Sequence, residues 1–113
     1  MRDVPDLDRG ARKLLFEARA SQLVGRVRFK QGQMEEAIKW FELAVKRFGE
    51  GAEQRQALWY LASATQAAGN DKEALALYIR SYNRYDENAT LQRSLIESLY
   101  RKLHGSLEGL DLK

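Results

Sequence analysis

The stretch from Gly32 to Phe48, GQMEEAIKWFELAVKRF, returns 37 residues later as GNDKEALALYIRSYNRY, from Gly69 to Tyr85. Residues of similar size or chemistry fall on each other in the two copies: Gly32 and Gly69, Glu36 and Glu73, Ala37 and Ala74, Phe41 and Tyr78, Ala44 and Ser81, Arg47 and Arg84, Phe48 and Tyr85. The agreement continues upstream in three further pairs: Val24 and Leu61, Gly25 and Ala62, Val27 and Ala64. Agreement over this length predicts an internal repeat.

The whole chain has the apolar spacing of α-helices. Apolar residues recur three or four positions apart, and no useful length alternates with the period of two that marks a strand. Glycines and a cluster at residues 49–51 separate the helical segments. We therefore predict an all-α protein of about five helices, the first continuous or bent near Gly10, over residues 6–31, 34–48, 52–68, 72–85 and 89–103.

The predicted helix ends carry residues that favour them. Gly32 and Gly69 can adopt the left-handed conformation that closes a helix. Asn70, with Glu73 three residues later, resembles a capping box, and Asn88 suits the N-cap of the last helix.

Small residues at matching places in the two copies predict how the helices pack. Gly25 and Ala37, like their counterparts in the second copy, allow two helix axes to approach closely. Phe41 lies one turn further on and fills the wider space between the helices. Each helix pair then has apolar surface on two sides, so neighbouring pairs must stack to bury it.

The repeated residues resemble the tetratricopeptide repeat. The resemblance rests on Leu23-Val24-Gly25, Lys30-Gln31-Gly32, Glu36-Ala37-Ile38, Phe41 and Ala44 in the first copy, and on Leu58, Leu61-Ala62, Gly69, Glu73-Ala74-Leu75, Tyr78 and Ser81 in the second. It implies a short right-handed α-solenoid of antiparallel helix hairpins. The domains expected are an N-terminal helical extension (1–17), two repeats (18–51 and 52–88), a C-terminal capping helix (89–105) and a tail (106–113).

The resemblance also implies a place for function. In this family, the first helices of stacked repeats line a concave groove that binds a peptide or a helix of a partner. The groove-facing residues expected here are Arg19, Gln22, Arg26, Phe29, Lys30, Gln56, Trp59, Ser63, Gln66, Arg93, Glu97, Tyr100 and Arg101. Arginine binds carboxylates through a planar fork, and aromatic side chains add contact area. We expect a protein or peptide partner of acidic or mixed composition, with Trp59 either contacting it or packing between helices.

Basic residues are concentrated in the first quarter of the chain. Residues 1–31 carry eight Lys or Arg against four Asp or Glu, whereas the formal net charge of the whole chain is only +3. The basic residues are Arg2, Arg9, Arg12, Lys13, Arg19, Arg26, Arg28 and Lys30. They either attract an acidic partner or form a solvated helical face.

Composition excludes several classes of site. The chain has no cysteine and a single histidine, His104, which excludes disulfides, thiolate metal sites and multi-histidine metal centres. The acidic pairs lie at helix starts, where capping explains them, and no glycine loop has the pattern that binds phosphate. We therefore expect no catalytic, cofactor or metal site and no enzyme. No apolar run suits a membrane span, so a cytoplasmic location is expected.

Two other functions stay open. The first segment has apolar residues at helical spacing that are suited to pairing two chains in a homodimer or larger assembly: Leu7, Ala11, Leu14, Leu15 and Ala18. Binding of RNA or DNA ranks third, because the net charge is modest and the second half is rich in acids.

Overall fold

Five helices make up the regular structure of residues 5–112, the part of the chain that the computed structural model describes. They are α1 (Pro5–Lys30), α2 (Met34–Phe48), α3 (Ala52–Ala67), α4 (Asp71–Ser81) and α5 (Ala89–His104). The predicted all-α class with about five helices is confirmed. The first helix is continuous through Gly10. Arg2, which belongs to the predicted basic group, lies outside the described residues, and the division into five domains stays a prediction.

Local side-chain chemistry explains several of the helix ends. Gly32 and Gly69 have φ of 78° and 93°, the left-handed conformation that was predicted for them. Asn70 Oδ1 accepts a hydrogen bond from the backbone N–H of Glu73 at 3.5 Å, as expected for the start of α4. Asn88 precedes α5 as predicted, but its side chain makes no capping hydrogen bond.

The prediction for the end of α4 is wrong: the helix stops at Ser81, four residues before Tyr85. Ser81 Oγ donates to the carbonyl oxygen of Tyr78 at 2.7 Å, and Tyr82 leaves the helix with φ −73° and ψ 134°. Asn83 Oδ1 then accepts from the backbone N–H of Tyr85. The side chains of Ser81 and Asn83 thus form hydrogen bonds with nearby backbone groups that compete with the helical hydrogen bonds. A non-helical turn therefore stands where the last turn of α4 was predicted.

The core consists of two buried clusters. The first cluster joins α2 and α3 through Ala37, Phe41, Ala44, Val45, Ala57, Leu58, Leu61 and Ala64. The second joins α3, α4 and α5 through Ala62, Ala74, Leu75, Tyr78, Ile96 and Leu99. Both repeat alanines, Ala37 and Ala74, are fully buried, as the packing argument predicted.

Each helix packs mainly on its neighbour in the chain, and α1 also touches α3. Within the described residues α5 packs on α4 and makes no close backbone contact with α3. The segment after α5 folds back, so that Leu110 and Leu112 lie against the second core cluster. This arrangement leaves clefts on either side of α3.

Candidate partner-binding clefts

A cleft of about 290 Å³ lies between α1 and α3, and we call it the α1–α3 cleft. Its lining residues are Arg26, Phe29, Lys30, Phe41, Trp59, Tyr60 and Ser63. The rings of Phe41 and Tyr60 stack with centroids 5.5 Å apart. The structure therefore brings together five of the residues that the sequence assigned to a groove.

Two cations form part of the α1–α3 cleft. The guanidinium of Arg26 lies 5.3 Å from the centroid of the Tyr60 ring, a cation–π contact. Within the described residues neither Arg26 nor Lys30 forms a salt bridge. Both side chains are exposed, so their positive charge can act on a carboxylate of an incoming ligand.

A larger cleft of about 550 Å³ lies between α3 and α5, and we call it the α3–α5 cleft. Its lining residues are Ala52, Glu53, Arg55, Gln56, Trp59, Tyr60, Glu87, Asn88, Leu91, Gln92 and Leu95. Leu91 and Leu95 are 65% and 50% exposed, so an apolar side chain could bury their free surface. Trp59 and Tyr60 line both clefts, so the two clefts lie on either side of this pair of aromatic residues.

An ion pair joins one lining residue of the α3–α5 cleft to the turn before α5. Arg55 donates from Nε and NH2 to the two carboxylate oxygens of Asp86, both at 2.8 Å. The hydrogen bonds from Arg55 hold the pKa of the Asp86 carboxyl below its usual value. Since both side chains are about three-quarters buried, the pair fixes the turn before α5 against the start of α3.

Trp59 packs against the second core cluster and also lines both clefts. Its ring centroid lies 4.3 Å from that of Tyr78, and the side chain is half-buried against the second core cluster. The Tyr78 hydroxyl donates to Gln66 Oε1 at 2.9 Å and lies 3.0 Å from Ser63 Oγ. Burial raises the pKa of Tyr78. Ser63 forms a hydrogen bond with this buried phenol and also lines the α1–α3 cleft.

Two predicted groove residues on α1 line neither cleft. Arg19 donates from Nε and NH2 to Glu53 on α3, at 2.8 and 3.1 Å, which holds the pKa of Glu53 below its usual value. Gln22 is half-buried and lines neither cleft, and its Oε1 has no hydrogen-bond partner within residues 5–112.

Three residues predicted on α5, Arg93, Tyr100 and Arg101, line neither of these clefts. Arg93 pairs with Glu97 at 3.1 Å, and the Tyr100 hydroxyl donates to the carbonyl oxygen of Glu108 at 2.8 Å. Arg101 is exposed.

The rotation of α5 about its axis explains why those three residues lie outside the two clefts. Ile96 and Leu99 are buried, and this pair determines which side of α5 faces the rest of the protein. At 100° per residue, Leu91 and Leu95 then lie on the flank toward α3, whereas Arg93 lies on the opposite flank. The apolar residues of α5 are more numerous than one core face needs, and this signal could have identified Leu91 and Leu95.

The described residues also bear on metal binding and on membrane insertion. No three histidine, aspartate or glutamate side chains there are arranged to hold a metal ion. In the same part of the chain, every helix is too short or too polar to span a membrane.

Comparison with known proteins agrees with the helical repeat. A family model described as the tetratricopeptide repeat matches residues 16–87, more than half of the chain. No curated protein and no solved structure matches at a significant level. The family match covers both copies of the repeated stretch, with α2, α3 and α4 whole and α1 from residue 16 onward. The chain therefore belongs to the tetratricopeptide repeat family.

Proposed function

We propose that this chain is a non-catalytic interaction module that binds a peptide or helix of a partner protein along the α1–α3 and α3–α5 clefts. Tetratricopeptide repeats generally mediate protein–protein interactions. The first helices of the two repeats and α5 contribute walls to these clefts, and this arrangement supports the proposal.

One observation carries the proposal: Trp59 and Tyr60 separate two clefts of different chemistry. To an aromatic lining, the α1–α3 cleft adds Arg26 and Lys30, two cations that form no salt bridge with the described residues. The α3–α5 cleft adds the exposed side chains of Leu91 and Leu95. A ligand that fits both has a carboxylate beside an apolar residue, followed along its length by an aliphatic or aromatic residue. Such pockets around aromatic anchors are where binding energy concentrates.

A selection experiment tests the proposal. Peptides displayed on phage are selected against the immobilised protein, and the affinity of each enriched peptide is measured by fluorescence anisotropy. Arg26→Glu is expected to weaken binding at least about tenfold, because it replaces an attractive charge by a repulsive one. Leu91→Ser with Leu95→Ser should weaken it by a similar factor, because the apolar contact area is lost.

Arg101→Glu is the matched control, since this exposed arginine lines neither cleft. It should change the affinity by less than about twofold. Equal weakening by Arg26→Glu and Arg101→Glu would show only a general charge effect and would refute the site. Failure to enrich any peptide containing an acidic and an apolar residue would refute the proposed ligand chemistry.

A further inference from the structure

The segment that follows α5 lies folded against the protein, and we call its residues 106–112 the clasp. Leu110 and Leu112 are half-buried and pack on the second core cluster. Glu108 and Asp111, the two acidic residues of the clasp, are exposed. The clasp therefore places leucine side chains on the protein and its charges in water.

Hydrogen bonds give the clasp a defined turn. The backbone N–H of Leu110 donates to the carbonyl oxygen of Leu107 at 3.1 Å, which closes a β-turn. The third residue of this turn is Gly109, whose φ of 90° is a conformation that residues with a side chain rarely adopt. The Tyr100 hydroxyl on α5 donates to the carbonyl oxygen of Glu108, the second residue of the turn, at 2.8 Å. Helix α5 therefore binds the turn, and the leucines bind the core cluster beyond it.

The contact with Tyr100 requires glycine in the turn for a second reason. A Cβ added at Gly109 would lie 3.0 Å from the Tyr100 hydroxyl oxygen. The phenol would have to move away, and its hydrogen bond to Glu108 would weaken. A segment that binds in this place therefore needs both the glycine of the turn and the leucines that follow it.

The surface under the clasp is formed by apolar residues of α4 and α5. These helices contribute the following members of the second core cluster: Ala74, Leu75, Tyr78, Ile96 and Leu99. Within residues 5–112, the hydrogen bond from Tyr100 is the one that joins the clasp to a helix. A segment with so few ties opens at a low free energy compared with the helices of the core. The clasp can therefore leave the surface while the helices stay folded.

We propose that this surface of α4 and α5 binds short segments in which a glycine turn is followed by two leucines one residue apart, and that the clasp is its resident occupant. A partner protein with such a segment binds when the clasp opens, so the clasp limits access to the surface. No clasp residue lines the α1–α3 cleft or the α3–α5 cleft, and the inference does not depend on the function proposed for them.

A synthetic peptide with the sequence of residues 106–113, SLEGLDLK, tests the inference on the full chain. Leu110→Ser with Leu112→Ser in the protein removes the leucines of the clasp and gives the open variant. A segment attached at the site competes at an effective concentration on the order of 1 mM, so the closed clasp implies a Kd of the free peptide for the open variant below about 1 mM. Heteronuclear NMR titration should show at least about tenfold weaker binding to the wild type, where the clasp occupies the surface.

Variants of the peptide and of Tyr100 test the contacts. A peptide with serine at both leucine positions should bind the open variant at least about tenfold more weakly, because the apolar contact is lost. Tyr100→Phe in the open variant should weaken binding of the original peptide about fivefold, because the hydrogen bond to Glu108 is lost. A Gly109→Ala peptide should also bind more weakly, and Tyr100→Phe should reduce that difference, since the hydroxyl that meets the added Cβ is gone.

Two further variants separate binding from folding. Gly109→Ala in the protein opens the clasp with its leucines intact and should also raise the affinity for the peptide. Leu103→Ser in the open variant is the matched control, because this exposed leucine of α5 belongs to neither core cluster. It should change the affinity less than about twofold, and circular dichroism should show the helix content of the wild type in all variants.

Three results would overturn the inference. Equal affinity of the wild type and the open variant would show that the clasp does not cover the surface. Absence of binding to the open variant and to the Gly109→Ala protein up to about 5 mM peptide would show that the surface takes no such segment from outside. A wild-type dimer in sedimentation velocity that becomes monomeric in the open variant would place the clasp on a second copy of this chain.

Discussion

The hairpins α1–α2 and α3–α4 bury an aromatic residue at the same repeat position in two different ways. In the first hairpin the Phe41 ring lies against Gly25, where an added Cβ would be only 2.6 Å from ring atoms Cδ1 and Cε1. In the second, Ala62 takes the place of the glycine, and Tyr78 packs on Trp59.

The polar atom explains the second arrangement. A buried hydroxyl needs hydrogen-bond partners, and Tyr78 finds them in Ser63 and Gln66. Phe41 has no polar atom and therefore depends on close packing alone. The repeat position thus requires a large ring, whereas the neighbouring residues determine which ring fits. The first hairpin should be the more sensitive of the two to changes in volume, and the second to changes in hydrogen bonding.

The largest effect is expected for Phe41→Ala. The ring is almost fully buried in the first core cluster, so its removal leaves a cavity and should lower the free energy of unfolding by about 3–5 kcal/mol. Urea denaturation followed by circular dichroism measures the change. Phe41→Leu, which keeps most of the volume, should lose clearly less. Equal losses in the two variants would contradict an argument based on volume.

Gly25→Ala tests the close contact directly. Alanine favours a helix over glycine by up to about 1 kcal/mol, but overpacking a buried position costs about 1–3 kcal/mol. The net result should be a loss of up to about 2 kcal/mol, measured by urea denaturation. A second substitution, Phe41→Leu, should reduce the cost of Gly25→Ala in a double-mutant cycle.

Gly10→Ala is the control for helix propensity. A Cβ at Gly10 has no atom within 4 Å, and this glycine lies in the same helix. The change should stabilise the protein or leave it unchanged. If Gly25→Ala behaves like Gly10→Ala, the contact with Phe41 has no energetic weight.

Tyr78→Phe addresses the second hairpin. It removes the hydroxyl that joins Ser63 and Gln66 and should lower the free energy of unfolding by about 1 kcal/mol. Tyr85→Phe is the control, because Tyr85 is 79% exposed and outside α4. Thermal and urea unfolding should show almost no effect of that change. A Tyr78→Phe variant as stable as the wild type would mean that the phenol packs only as a ring.

Local signals made the fold largely predictable. The bounds of α2 match the predicted residues 34–48, because glycines lie on both sides of this strongly periodic segment. The end of α4 was not predictable from apolar spacing, since Tyr82 and Tyr85 continue the pattern. Hydrogen bonds of the Ser81 and Asn83 side chains to nearby backbone groups end the helix there.

The site was only partly predictable because it depends on contacts between distant residues. Arg19 was expected to face a groove, but Glu53, which is 34 residues away, binds it. Arg93 was assigned from a family pattern, whereas the buried residues Ile96 and Leu99 determine the rotation of α5. Arg26 and Trp59, which the sequence assigned to a groove and which line the α1–α3 cleft, lie on α1 and α3, where the repeat pattern is strongest.

The two hairpins are also linked to the next element by ion pairs that differ in exposure. Arg19 and Glu53 are 59% and 45% exposed, whereas Arg55 and Asp86 are 26% and 25% exposed. The second pair is screened less by water, so Asp86→Asn should lower the free energy of unfolding at pH 7 by up to about 1 kcal/mol. Glu53→Gln should have a smaller effect.

The pH dependence identifies the cause of this loss. Arg55 lowers the pKa of Asp86 in the folded protein, so the stabilisation is present above the unfolded value of 3.8 and is lost as the pH falls through the lower folded pKa. The difference in stability between the wild type and Asp86→Asn should therefore shrink below about pH 4, as measured by urea denaturation across an acid series. A difference that stays constant down to pH 2 would show that the asparagine acts through altered packing, and the Arg55–Asp86 pair would then have no electrostatic role in holding α5.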